Sequence, residues 1–178
     1  MARIFCTEPN LKKFHSVFIS CNESDGLNKW CKECEKCAFV FLILSAWLPP
    51  IEVLAIFNGV NLFANPNNVN LFLSLIRGTK ISGSKPYECI GTFAESSAAI
   101  ELSLYQIIIK MQSEKPSATQ IIAVDADSIC LDHHEILNEI PIVLQVLVDN
   151  LQIVFDKDLL RIDDVTRGNF ILKKWLPN

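Results

Sequence analysis

Four cysteines in the spacing Cys21-x9-Cys31-x2-Cys34-x2-Cys37 limit what this chain can fold into more than any other feature. A C-x2-C turn brings two thiolates onto one ion, and two further sulfurs complete a tetrahedron, the number and geometry that Zn²⁺ prefers. Four thiolates leave no open coordination position, so such an ion is structural rather than catalytic. The alternative, two disulfides in a secreted domain, needs an export signal. The opening residues MARIFCTEPN have no apolar stretch and no small-residue cleavage site. Seven cysteines is also an odd number. It leaves Cys6, Cys89 and Cys130 as free thiols, which suits a reducing cytoplasm. The spacing therefore predicts a zinc knuckle over residues 21–37 with Cys21, Cys31, Cys34 and Cys37 as ligands, in a cytoplasmic protein.

The chain has 178 residues, half of them apolar, enough for a single domain with a real core. A formal net charge of −4 argues against a protein that tracks nucleic-acid phosphates, which needs a basic face. Abundant apolar residues argue against disorder. The run from Ala38 to Leu48 is apolar apart from Ser45, but a bilayer needs about 20 such residues, and Pro49 and Pro50 interrupt it. It reads as a helix buried on every side, and no membrane association is expected.

Other segments read mostly as helices. The run Ser16 to Ser20 suggests a short strand entering Cys21, with no helix or strand signal ahead of it. Trp30 is expected to pack over the knuckle. Pro50 opens a short helix to about Phe57. Asn65-Pro66 is a cap and first-turn pair for a helix whose apolar side is Val69, Leu71, Phe72, Leu75 and Ile76; Arg77-Gly78 stops it. Thr92 and Glu95 fit a capping box for the longest helix, with Ser96, Ser103, Gln106 and Lys110 as its polar stripe, ending before Pro116. Asp132 and Glu135 repeat the capping pattern, and a last strong helix runs from Pro141 to about Val154. The tail from Asp156 docks as a terminal strand or helix.

No phosphate-binding glycine loop, Ser-Gly-Gly-x-Asp-Ser pyrophosphate loop, nucleophile elbow or H-E-x-x-H is present. Asp125 and Asp127 form no catalytic pair of defined spacing, and His133 and His134 point about 100° apart on a helix, so they do not share a metal face. The loop Lys85-Pro86-Tyr87-Glu88-Cys89-Ile90-Gly91 gathers reactive side chains as functional loops do. Its plainer reading is a polar connection with a buried, inert cysteine.

The run Lys29-Trp30-Cys31-Lys32-Glu33-Cys34-Glu35-Lys36-Cys37-Ala38-Phe39-Val40-Phe41, with Ser20-Cys21 upstream and the Lys85 to Gly91 phrase downstream, resembles the C-terminal part of the UDP-N-acetylmuramoyl-L-alanyl-L-glutamate epimerases. The knuckle is also similar to that of 7-cyano-7-deazaguanine synthases, pyrophosphate-loop enzymes of an α/β fold. The resemblance implies a mainly α domain with a four-cysteine zinc knuckle, the C-terminal part of a larger α/β pyrophosphate-loop enzyme. Residues 1–178 would then be one α-rich domain without its N-terminal ATP-binding half. It implies inversion of the terminal L-Glu of UDP-MurNAc-L-Ala-L-Glu, with ATP and Mg²⁺ bound mainly by the missing half. The α-carboxylate is activated as an acyl-adenylate, a base removes the Cα proton, and an acid returns one to the other face. Cys89 and Glu88 are the candidate catalytic residues, either of them able to serve as general base, and Lys85 is the candidate substrate-binding residue. The implied partners are the UDP-muramoyl dipeptide and a separate N-terminal half, without which the chain is expected to be inactive. The competing expectation is a stand-alone zinc-knuckle domain that binds another protein and catalyses nothing.

Overall fold

The computed structural model describes residues 2–21, 23, 29–77, 90–114, 140–153, 157–160 and 164–176. The regular elements among them are helical, and no strand occurs there. In chain order they include α1 (Ala2–Thr7), a 3-10 segment (Pro9–Val17), α2 (Glu35–Ser45), α3 (Pro50–Ile56), α4 (Val69–Arg77), α5 (Phe93–Glu114), α6 (Ile142–Leu151) and α7 (Asp164–Trp175).

The residues that set these boundaries act as their chemistry dictates. Cys34 caps α2 by accepting from the Cys37 N–H, and Pro50 opens α3. Asn65 accepts from the Asn67 N–H, starting a 3-10 turn (Pro66–Asn68) that runs into α4. At α5 the capping box is complete. Glu95 Oε2 accepts from the Thr92 N–H at 2.6 Å, and Thr92 Oγ1 accepts from the Glu95 N–H at 3.1 Å. Just before it, Gly91 has φ +64° and lies so close to Phe39 that an added Cβ would meet the ring at 2.6 Å.

α5 is the central post. α2 and α4 pack on it and on each other, α6 packs on α4 and α5, and α7 lies along α5. Phe72, Leu75, Leu42, Ile100, Leu104, Tyr105, Ile108, Leu144 and Leu147 are buried in the core that these helices share. α2, apolar all round, finds the cover it needs.

Three expectations are corrected. Val17 ends the 3-10 segment and Phe18 to Cys21 run without regular structure, so no strand enters the knuckle. The apolar side chains there plug the bundle instead, with Phe18 and Ile19 packed against it. The segment ahead of residue 17 is helical, although it carries no strong periodic signal. Finally, Ser96 and Ser103 do not form a wet stripe, because both are buried. Ser103 Oγ donates to the Ala99 carbonyl at 2.7 Å and stands 3.4 Å from the Leu42 carbonyl, so a small hydroxyl lets α2 approach closely.

The tail forms a helix rather than a strand. Glu101, only 2% exposed, receives the Lys174 ammonium at 2.9 and 3.0 Å and the Trp175 indole N–H, fastening α7 to α5. Arg3 on α1 donates to Asn169 on α7 at 3.0 Å. No helix among the described residues is long and apolar enough to cross a membrane.

Candidate metal centre

The four predicted cysteines come together. Their Sγ atoms all lie within 4.8 Å of one another. Cys31 and Cys37 are 3.6 Å apart, and Cys21 and Cys34 are 4.0 Å apart. A tetrahedron of Zn–S bonds spaces its sulfurs at about 3.8 Å, so these two separations bracket what one ion requires. They are far longer than the ~2.05 Å of a disulfide, and the described cysteines are all free thiols.

Backbone geometry aims donors at the sulfurs. Cys34 and Cys37 sit at the start of α2, where unpaired N–H groups and the helix dipole favour negative charge. The Cys37 N–H donates to Cys34 Sγ at 3.4 Å, the Lys32 N–H to Cys37 Sγ at 3.4 Å and the Cys31 N–H to Cys21 Sγ at 3.5 Å. Lys32 adopts φ +69° within this turn. A non-glycine residue there costs roughly 1–2 kcal/mol, and the conformation points its N–H at a sulfur. Such second-layer donors orient thiolate ligands and disperse their charge.

Burial and backbone donors pull the thiol proton affinities in opposite directions. Burial is the largest influence on Cys37 and holds it well above the usual thiol range, with the neighbouring sulfurs adding to it. Burial also raises Cys31. Burial acts in the same direction on Cys21, but N–H groups of Cys31 and Glu23 and the adjoining thiols outweigh it and bring it down to about 7. Four adjacent thiolates repel, and a divalent cation supplies the positive charge that lets them ionise together. The donor set, its spacing and its electrostatics therefore fit a soft divalent metal that arrives as thiol protons leave.

Trp30, next to Cys31 in sequence, is buried among aromatic rings. Its ring stacks on Phe57 at 4.4 Å and tilts against Phe18 at 5.9 Å. Phe18 touches Phe5, Phe57 touches Phe41, Phe41 touches Phe63, and Phe63 touches Phe72. Rings thus run unbroken from the N-terminal segment, past the cysteines, into the core.

Lys85, Glu88 and Cys89 lie outside the described residues, as do Gly78, Asp125, Asp127, Cys130, Asp132, His133, His134 and Glu135. The exit of the Lys85 loop is described. Ile90 is fully buried, and Gly91 abuts Phe39 on α2, in the turn that follows Cys37. Sequence reading missed Lys32, whose place inside a cysteine turn is the signal for a left-handed residue. It also missed His15, which carries no such signal.

The described elements thus make a helical domain whose second helix, α2, grows directly out of a four-thiol knuckle. A family profile described as the MurL C-terminal domain matches residues 17–124, well over half of the chain. The chain belongs to that family. Three curated relatives are each named UDP-N-acetyl-alpha-D-muramoyl-L-alanyl-L-glutamate epimerase. The protein of Micromonospora sp. is 33% identical over 106 residues, 57% of this chain and 22% of the relative. That of Salinispora tropica is 34% identical over 93 residues, 50% and 20%. That of Xanthomonas oryzae pv. oryzae is 31% identical over 94 residues, 49% and 20%. The chain thus spans about a fifth of the length of the curated relatives it matches. No solved structure is a significant match.

Proposed function

We propose that this chain is the C-terminal portion of an ATP-dependent epimerase acting on the terminal L-Glu of UDP-MurNAc-L-Ala-L-Glu, a step in peptidoglycan precursor synthesis in the cytoplasm. The match over residues 17–124 carries the reading, because it takes in both the knuckle and the Lys85 to Gly91 phrase. The names of the relatives supply the substrate. In this reading Cys21, Cys31, Cys34 and Cys37 hold a structural zinc ion. Cys89 and Glu88 exchange the Cα proton, one as base on one face and the other as acid on the opposite face. Lys85 holds a carboxylate or phosphate of the substrate.

ATP and Mg²⁺, bound by an N-terminal half of α/β pyrophosphate-loop type, activate the α-carboxylate. An unactivated carboxylate opposes a neighbouring carbanion by its own charge. Alone, the chain is expected to be inactive.

The deciding assay supplies the chain with a polypeptide corresponding to the part of a relative that precedes the matched region. It follows Cα–H exchange of UDP-MurNAc-L-Ala-L-Glu in D2O with ATP and Mg²⁺. Exchange is expected only with both pieces. Cys89→Ser and Glu88→Gln are each expected to cut the rate by about 10²-fold or more, the usual scale of acid–base catalysis. Full exchange in both variants removes these residues from the chemistry. Zinc-loaded chain that binds the N-terminal piece without any turnover would favour a pure interaction domain.

A further inference from the structure

We propose that His15, Glu52 and Lys12 form a proton-operated latch that fastens the N-terminal arm, residues 2–17, to the body of the domain. The arm lies almost wholly ahead of the family-matched residues, which begin at 17. α1 and the 3-10 segment pack on each other, and the 3-10 segment packs on α3.

His15 is 6% exposed on an otherwise largely exposed segment. Its Nε2 lies 2.9 Å from the Phe5 carbonyl oxygen on α1. A carbonyl only accepts, so Nε2 carries the hydrogen. In the neutral ring Nδ1 is then a bare acceptor. It is shut off from solvent and has no hydrogen-bond partner. What it faces, at 4.0 Å, is Glu52 Oε2 on α3. The other oxygen, Oε1, is held by the Lys12 ammonium at 2.8 Å. Lone pair thus confronts carboxylate, and the cluster is one proton short of being satisfied.

A proton on Nδ1 converts this standoff into a charge-assisted N–H to Oε2 contact. The bond to Phe5 survives unchanged, because Nε2–H donates in both forms. A further titratable group that feels Glu52 is the Cys6 thiol on α1. Burial first, and then the Glu52 charge, push it up to about 12, so it stays neutral throughout. The sign follows. The added proton on Nδ1 makes the contact to the Glu52 carboxylate, so the latch tightens as pH falls and loosens as pH rises.

The test is hydrogen exchange on the full chain at about pH 5.5 and about pH 7.5, with rates corrected for intrinsic exchange and compared with amides of α5, which report opening of the whole domain. Relative to α5, amides of residues 2–17 are expected to be several-fold better protected at the lower pH. Glu52→Gln, a conservative change at a partly exposed position, is expected to abolish the difference, and nitrogen NMR is expected to show Nδ1 of His15 gaining the proton. Equal arm protection at both pH values, or an undiminished difference in Glu52→Gln, overturns the latch. Neither outcome bears on the epimerase reading, which rests on residues 17–124.

Discussion

The start of α2 and the middle of α5 are both fastened by polar groups, but by opposite strategies. At α2, four thiols from one short stretch of chain converge in an arrangement that fits a cation from outside. At α5, Glu101 is neutralised by residues 73 and 74 positions further on, Lys174 and Trp175, and needs nothing beyond the chain. One fastening is local in sequence and has the donor set of a metal site. The other is remote in sequence and unconditional. Fitness for a metal and legibility in sequence therefore go together here: ligands for one ion must be spaced for it, whereas an ion pair needs only two residues that the fold brings together.

Breaking the metal side is expected to have the largest effect. Structural zinc contributes an apparent free energy on the order of 10 kcal/mol in small zinc domains, as much as the whole stability of many domains. Cys34→Ala removes both a ligand and the α2 cap. It is expected to abolish stoichiometric zinc in elemental analysis and to collapse the melting transition, as is a strong chelator acting on the intact protein. Because protons compete for the sulfurs, zinc affinity should fall as pH is lowered. A variant that retains one zinc per chain and melts like the parent would remove Cys34 from the centre.

The self-contained side should break more gently. Glu101→Ala leaves the Trp175 N–H and the Lys174 ammonium without their acceptor. Loss of one partner of a buried pair costs roughly 3–5 kcal/mol. The Lys174 side chain is 43% exposed and can turn to water, so about 2–3 kcal/mol is expected. Denaturant unfolding measures it, and zinc content should not change. Loss of zinc in Glu101→Ala would mean that the two fastenings are not independent.

The smallest effect tests the seam between them. Gly91→Ala demands a left-handed alanine and presses a methyl group toward Phe39 on α2. About 1–3 kcal/mol is expected, read as a lowered Tm. A neutral result would show that Phe39 yields freely and that the chain leaving the Lys85 loop is not held against α2 at this point.

Much of the helical frame is legible in the sequence for definite reasons. Asn65-Pro66, Thr92 with Glu95, and Pro50 are local signals whose partners lie within a few residues, so no tertiary knowledge is needed. The four cysteines are legible because ligands to a shared ion need this spacing. Three things are not. The 3-10 segment carries no strong period, and its hold on the domain comes through His15 and Lys12 reaching α3. Ser96 and Ser103 read as a wet stripe because a hydroxyl is polar, yet a hydroxyl that bonds its own helix, as that of Ser103 does, can face a neighbour. Glu101 reads as an ordinary acidic residue until α7 is folded back upon it. Each depends on contacts distant in sequence, which periodicity does not record.

The ring-to-ring row from Phe5 through Trp30 to Phe72 has a consequence for how the domain comes apart. Trp30 sits beside Cys31 and between Phe18 and Phe57, so a disturbance at the sulfurs has a direct route into the core. Loss of a bound ion is therefore expected to loosen the core side of the row, Phe57 to Phe72, together with the sulfurs, while the arm that carries Phe5 can still open on its own.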